Sequence, residues 1–563
     1  MKYLDQKTKN AILNAPSGTV VLLSAMVGSG KTSFILRELL YRTRLSQKKL
    51  LLVVNRVSLR GQLVQNACKQ LGIPLEGLTL ADNGYVALGP LVVMSYQYLS
   101  KRLSGGCRPE MKIGPYCASE YGVAVFDEAH HLLADALLSA DSYTLMNIPK
   151  VFQATRIYMS ATMEPVRKLI FKMENVADLW EEAHISDSEH ARFSGLPCRY
   201  IQAGLGALNA NGIWPRNVLE LHGSEPDYSY LTPRIIGEDV DIAEDVLGLK
   251  AAGALKKAVI FVDSKEKGRE IATRLRENGC PAAFVCSLSD TDMMSNDDLN
   301  TLSFIEEKGH LDSISVLIAT TTLYNGVSLL DPDITHLYIE GVDYITAVQE
   351  AGRIRVPEKG RTVSLTIQRH GRAFFRRRLG QYKHICNTLN RFQRESDRGK
   401  FALFFSGEGK LIQCLVSYDE ERRQFHYSPF VDYAFNYYIS DLTDTIRLLE
   451  KDSDGYIKKA LNWFGKKYDA TDDEEAKSRE QATLDLHEYL SSYLDSPSLM
   501  NGDKYKEFAR KMVKYSQLEG ASIQPARRDR PIPAVSVIRE YLLKHGYIFE
   551  GTKNAWSIRK EVN

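Results

Sequence analysis

The run Ala25-Met26-Val27-Gly28-Ser29-Gly30-Lys31-Thr32 joins residue types suited to holding a chain of phosphates. Glycines let backbone N–H groups curl around anionic oxygens, and the start of a helix adds a favourable field. The lysine can reach the β- and γ-phosphates, and the threonine hydroxyl can ligate Mg²⁺. The first position is alanine where the general pattern has glycine. Further along, Asp127-Glu128-Ala129-His130 follows the apolar run Val123–Phe126. An acid at the end of a neighbouring parallel strand can hold Mg²⁺ through water, and the next carboxylate can orient and deprotonate an attacking water. The candidate nucleotide-binding residues are thus Ala25, Gly28, Ser29, Gly30, Lys31 and Thr32. Thr32 and Asp127 are the candidate metal partners, and Lys31 and Glu128 the candidate catalytic pair.

These groups need a sheet to bring them together, and the sequence supplies one. Thr19–Leu23 reads as a strand into the glycine turn, followed by an apolar-periodic helix from about Ser33 to Arg44. Leu50–Val54, Leu91–Met94, Val123–Phe126 and a run near 156–162 are further strands. Continuous apolar runs of this kind belong to strands buried on both faces, hence to a parallel sheet covered by helices. Glycines, asparagines and prolines between 186 and 230 predict a linker. The alternation resumes with Ala258–Val262, a helix from about Lys265 to Asn278, Ala283–Val285, Val316–Ala319 and Thr335–Ile339. Beyond 370 the chain reads as helical and aromatic, with Phe375, Leu379, Tyr382, Cys386 and Leu389 forming a stripe. Thr471-Asp472-Asp473-Glu474 is a capping box that opens a helix to about Leu494.

The expected fold is α/β: two tandem P-loop lobes with parallel sheets, at 1–185 and 231–370, joined by the 186–230 linker. A mainly helical region at 371–563 follows, with a winged-helix-like module at 530–560. Length agrees, since 563 residues suggest three or four domains at roughly 150 each. The composition, 44% hydrophobic and 25% charged, excludes a mostly disordered chain. The eight cysteines include no C-x-x-C pair, which argues for reduced thiols over a zinc ribbon or a disulfide scaffold. The polar start lacks the apolar core of a signal peptide, and no run reaches the ~18 apolar residues of a spanning helix. A cytoplasmic protein with no membrane partner is expected.

Over about residues 1–370 the motifs resemble those of superfamily 2 helicases of the DEAD/DEAH-box type, whose two lobes are RecA-like. Ser160-Ala161-Thr162 resembles motif III, and Asn55-Arg56-Val57-Ser58-Leu59 resembles motif Ia. Phe261-Val262-Asp263-Ser264 is similar to motif IV and Thr320–Val327 to motif V. Gln349-Glu350-Ala351-Gly352-Arg353-Ile354-Arg355 resembles motif VI. Details of motifs Ia and V lean towards the branch of the herpesvirus origin-binding proteins. The resemblance implies ATP and Mg²⁺ as cofactors, with Gln6 at the position from which related enzymes read adenine. It implies coupling through His130, Ser160, Thr162 and Gln349, and strand contacts through Arg56, Ser58, Thr321 and Asn325. It also implies an arginine that reaches the γ-phosphate, either Arg353 or Arg355. The usual spacing between the motif VI arginines is three residues and here it is two, with Val356 in the expected place. A loop-to-helix start there would let only one arginine face ATP, with Arg355 nearer the usual position.

Net charge is 72 − 70 = +2, so a polyanionic partner can be argued only from local density. Residues 361–400 carry eleven basic and two acidic side chains, a candidate phosphate-binding face. The resemblance implies an ATP-dependent nucleic-acid helicase or translocase, with DNA favoured over RNA. The alternative is an ATPase that remodels nucleoprotein, or recruits a protein partner through 400–563, without separating strands.

Overall fold

The computed structural model describes residues 4–26, 29–54, 57–73, 84–104, 119–134, 145–174, 198–201, 217–223, 227–286, 288–320, 328–355, 361–394, 412, 415–419, 424–427, 429–469, 473–494, 502–518, 533–552 and 555–560. They form two compact units, Met1–Pro233 with Val240–Lys467, and Arg234–Asp239 with Tyr468–Asn563.

The first sheet has the order β3-β4-β2-β5-β6-β1-β8-β7. Its strands are β1 (Val20–Ser24), β2 (Lys49–Val54), β3 (Tyr85–Leu88), β4 (Leu91–Ser95), β5 (Tyr121–Phe126), β6 (Thr155–Ser160), β7 (Cys198–Ile201) and β8 (Val218–His222). The pairs from β4 to β8 are parallel, and both edges are antiparallel. Val20 and Leu22 of β1 enter one apolar layer with Leu51 and Val53, whereas Val21 and Leu23 enter the opposite layer with Leu50 and Leu52. Both faces are therefore covered, as the unbroken apolar runs require. The segment 186–230, expected as a linker, contributes β7 and β8 to this sheet. Its glycine and proline signals masked the short apolar run at Val218.

One buried charge pair braces this lobe. Arg156 on β6 is fully buried and donates from Nε and Nη2 to Glu174, at 2.7 and 2.9 Å. The Tyr158 hydroxyl donates to the same carboxylate at 2.6 Å. Removing one partner leaves an uncompensated buried charge, so Glu174→Ala is expected to cost about 3–5 kcal/mol. A urea midpoint unchanged from wild type would show that Arg156 finds another anion.

The second sheet has the order β11-β12-β10-β13-β14-β9. It comprises β9 (Leu231–Ile236), β10 (Lys257–Val262), β11 (Ala282–Val285), β12 (Val316–Thr320), β13 (Ile334–Ile339) and β14 (Val363–Gln368). The pairings from β11 to β14 are parallel. Within this lobe Glu350 is 1% exposed, and neither carboxyl oxygen has a hydrogen-bond partner. Burial, then the carboxylates of Asp263, Asp343 and Glu340, pushes its pKa well above the usual range. A carboxyl raised in the folded state favours folding below its unfolded pKa, and that contribution is lost as pH rises. Glu350→Gln should therefore gain stability relative to wild type as pH is raised from about 5 to about 8. Urea unfolding at both values tests this; a difference independent of pH would show that Glu350 is ionised.

The region beyond 370 divides in two. Helices at Arg372–Arg394, Pro429–Lys451 and Gly455–Asn462 belong to the same unit as the first sheet and β10 to β14. The expected stripe on the first of them is real: Phe375 and Leu389 are buried, and Tyr382 packs on Phe435 and Tyr438 of the second. The other unit contains helices Glu474–Leu494, Gly502–Leu518 and Val535–Lys544 and the hairpin Tyr547–Thr552/Ala555–Lys560. Leu486, Phe508, Leu542, Phe549 and Trp556 share its core. The module expected at 530–560 thus completes its core with two helices that precede it.

Candidate active site

Four parallel strand ends meet at the candidate phosphate site, because backbone hydrogen bonds clip their loops together. The Ala25 N–H donates to Ser160 O at 3.0 Å, Asp127 N–H to Val53 O at 2.9 Å, and Ala129 N–H to Met159 O at 2.8 Å. Gly30, with φ of 81°, lies in the left-handed region that glycine tolerates, and caps the helix beginning at Lys31. Lys31 is buried, its Nζ donating to Ala25 O at 2.8 Å and Met26 O at 3.2 Å. Its cation is thereby held at the mouth of the glycine turn. Thr32 is half-buried on the first helical turn, and Gly28 lies outside the described residues. The Ser29 hydroxyl donates to Met26 O at 2.8 Å, and Ser29 O accepts from the Leu4 N–H at 2.9 Å.

Asp127 and Glu128 sit side by side at the end of β5, 6% and 8% exposed. Glu128 has φ of 49°, a strained conformation for a residue with a side chain, and such strain clusters at functional sites. Burial, then the charge of Glu128, pushes Asp127 up to about 6. Burial opposes the charge on Glu128 as well, but Lys31, then His130 and Arg353, outweigh it and hold that carboxyl down to about 2. Glu128 Oε2 is buried yet accepts no hydrogen bond. A carboxylate with an uncommitted oxygen beside a lysine, a threonine and a second carboxylate fits a site for Mg²⁺ and a phosphate chain. Tyr96, at the start of a helix that follows β4, donates its hydroxyl to Asp127 O at 3.1 Å. Nothing local marks that contact in the sequence.

The coupling candidates form one buried network across both lobes. His130 Nδ1 lies 3.1 Å from Ser160 Oγ and 3.4 Å from Gln349 Nε2. Ser160 Oγ accepts from the Thr162 N–H at 3.0 Å. Gln349 Oε1 accepts from Arg353 Nη2 at 3.2 Å, and the same guanidinium reaches Glu128 Oε1 at 3.8 Å. His130 Nδ1 also lies 3.4 Å from Glu128 Oε2. Second-lobe Gln349 and Arg353 therefore face first-lobe His130 and Glu128.

The motif VI geometry differs from the expected helix start. Its helix runs Tyr344–Ala351, capped by Asp343, and the arginines follow its end. Ile354 bridges to Leu329, whose N–H donates to Arg353 O at 2.8 Å. Arg353 is 4% exposed and points to Glu128, whereas Arg355 contacts Ser328 Oγ from Nε and Nη2, each at 3.4 Å. Burial, then the charge of Arg353, brings Arg355 down to about 10. The geometry places Arg353, rather than Arg355, against the candidate base.

Gln6 is exposed on the first helix (Gln6–Leu13), its Nε2 donating to Asn10 Oδ1 at 3.1 Å. Arg56, Thr321 and Asn325 lie outside the described residues, and Ser58 falls on the helix Val57–Leu71. The basic segment is partly committed to internal contacts. Arg369, Arg376 and Arg378 pair with Asp454, Glu450 and Asp263, and Arg361 donates to Asp331 O and Ile334 O. Arg361 and Arg369 are taken up in internal contacts, whereas Arg376 stays 60% exposed in its pair with Glu450. Among the described residues no helix is long and apolar enough to cross a membrane, and no His, Cys, Asp and Glu group has metal-cage geometry.

Residues 4–165 match the family described as "Type III restriction enzyme, res subunit". No curated protein matches the chain. Among solved structures, a variant of the Saccharomyces cerevisiae protein Dbp5 bound to a Gle1 variant and IP6 aligns with a TM-score of 0.37 and 15% identity, over 65% of this chain and 82% of that one. A DEAD box protein from the hyperthermophile Methanococcus jannaschii aligns with a TM-score of 0.32 and 16% identity, over 64% and 85%. The first lobe, with its phosphate loop and acidic strand end, is therefore similar to the helicase-like ATPase domain of superfamily 2.

Proposed function

We propose that this chain is an ATP-hydrolysing motor of the DEAH-box type that moves on or unwinds nucleic acid. The observation that carries this is the 3.8 Å approach of second-lobe Arg353 to first-lobe Glu128, which brings a cation and a candidate base to one cleft. Ser29, Gly30, Lys31 and Thr32 would hold the phosphates, and Thr32 and Asp127 would hold Mg²⁺. The ion, when bound, neutralises charge on the β- and γ-oxygens. Glu128 orients water and takes its proton at Oε2, the oxygen free of hydrogen bonds. Arg353 lowers the basicity of Glu128 while it faces that carboxylate. Gln349, His130 and Ser160 transmit lobe movement to the strand path through Arg56, Ser58, Thr321 and Asn325.

DNA is the proposed strand, a reading supported by the likeness to a restriction-enzyme subunit. A second reading, in which hydrolysis gates a protein partner, draws on the separate core of residues 468–563. ATP turnover measured alone, with single-stranded DNA and with single-stranded RNA tests both. Stimulation by DNA supports the first. A folded chain that turns over ATP at a rate no strand alters would favour the second.

A further inference from the structure

We propose that Phe430, at the start of the helix Pro429–Lys451, is a positioning residue for ATP hydrolysis. The inference rests on the ATPase reading above. Phe430 and Ala434 are fully buried in the core that also contains Leu132 and Leu133 of the helix His131–Ala134, and Met163 and Val166 of the helix Met163–Glu174. The first of those helices directly follows Asp127–His130, and the second directly follows Ser160–Thr162. The same core takes in Ile345, from the second-lobe helix that ends beside Gln349 and Arg353. The Tyr433 hydroxyl adds a hydrogen bond to Pro165 O at 3.3 Å.

Further along, this long helix packs on the helices Arg372–Arg394 and Gly455–Asn462, which follow the second sheet in the chain. Asp441 Oδ1 accepts from Lys459 Nζ at 2.7 Å, and Phe435 and Tyr438 pack on Tyr382. Tyr382 shares its helix with Arg378, which is paired with Asp263 at the end of β10. One helix thus joins the second lobe to the two first-lobe helices that follow candidate catalytic motifs. Close-packed interiors transmit displacement, so the volume of Phe430 sets how near the Ile345 helix comes to those of Leu132 and Val166. That approach sets the spacing of Arg353 and Glu128. Phe430 lies in a different apolar core from Ala25 of the glycine turn, so ATP binding should not depend on it.

Four full-length variants test the proposal: F430A, F430L, I345A and I345V, each measured for thermal unfolding, ATP affinity and single-turnover hydrolysis. A small misplacement of catalytic groups costs up to about 10²-fold in rate, so folded F430A should lose roughly 10- to 10²-fold in turnover with ATP affinity unchanged. F430L should recover most of the loss, and I345A combined with F430A should lose less than the product of the two. Should F430A fail to fold, F430L and I345V serve in its place and should show a smaller fall in turnover at constant affinity. Folded variants that hydrolyse at the wild-type rate would overturn the proposal, as would equal falls in affinity and turnover. Wild-type protein that hydrolyses no ATP would instead overturn the ATPase reading.

Discussion

Arg353→Ala should lower single-turnover ATP hydrolysis by up to about 10³–10⁵-fold, the range for an arginine that stabilises a transferring phosphoryl group. The geometry motivates this residue over its neighbour. Arg353 is buried, is steadied by Gln349 Oε1 at 3.2 Å, and faces Glu128 Oε1 at 3.8 Å. Arg355 is turned to Ser328 and needs a larger rearrangement to reach the same place. Arg355→Ala should therefore cost less, mostly through packing near Leu329. ATP affinity measured separately in each variant distinguishes lost binding from lost chemistry. If Arg355→Ala abolished hydrolysis while Arg353→Ala left it intact, the two roles would be exchanged. If both variants hydrolysed normally, ATP would not lie between the lobes, and the motor mechanism would fail with it.

The parts legible in the sequence are those whose chemistry demands contiguous residues. Gly30-Lys31-Thr32 and Asp127-Glu128 announce themselves because a phosphate cradle and a metal-plus-base pair need those types at the end of apolar strands. The helix Glu474–Leu494 and the stripe on Arg372–Arg394 are readable for the same local reason, while Thr471 and Asp472 of the expected capping box lie outside the described residues. What stayed hidden depends on distance. Asp343, whose carboxylate caps the motif VI helix through the Thr346 N–H at 3.0 Å, lies upstream of the motif and went unread. The helix consequently ends at the arginines instead of starting there. Within 361–400, Arg369, Arg376 and Arg378 meet Asp454, Glu450 and Asp263, partners that lie far away in the chain, whereas Arg372, Arg377, Lys383 and Arg391 stay exposed. The Phe430 contact with the helices at Leu132 and Val166 is of this kind too: periodicity shows that a face is apolar, never what covers it.

Glu128→Gln should leave nucleotide binding in place and lower hydrolysis by about 10²–10⁴-fold, the usual contribution of a positioned base. The amide keeps the volume of the carboxylate, so the strained turn at φ of 49° has no steric reason to change. Its oxygen can still orient water, but it cannot accept the proton. The substitution also removes the charge that Lys31 and Arg353 face, so these cations are left with less compensation. Some loss of stability without nucleotide is therefore expected, and bound triphosphate, being anionic, should restore it. Equilibrium binding of ATP, thermal unfolding with and without it, and single-turnover hydrolysis separate the effects. Tight binding with slow chemistry and nucleotide-rescued stability would match a base in this position. If binding and hydrolysis fell together, and added nucleotide did not raise the unfolding temperature, Glu128 would be supporting the phosphate loop or the metal and the proton would have to go elsewhere.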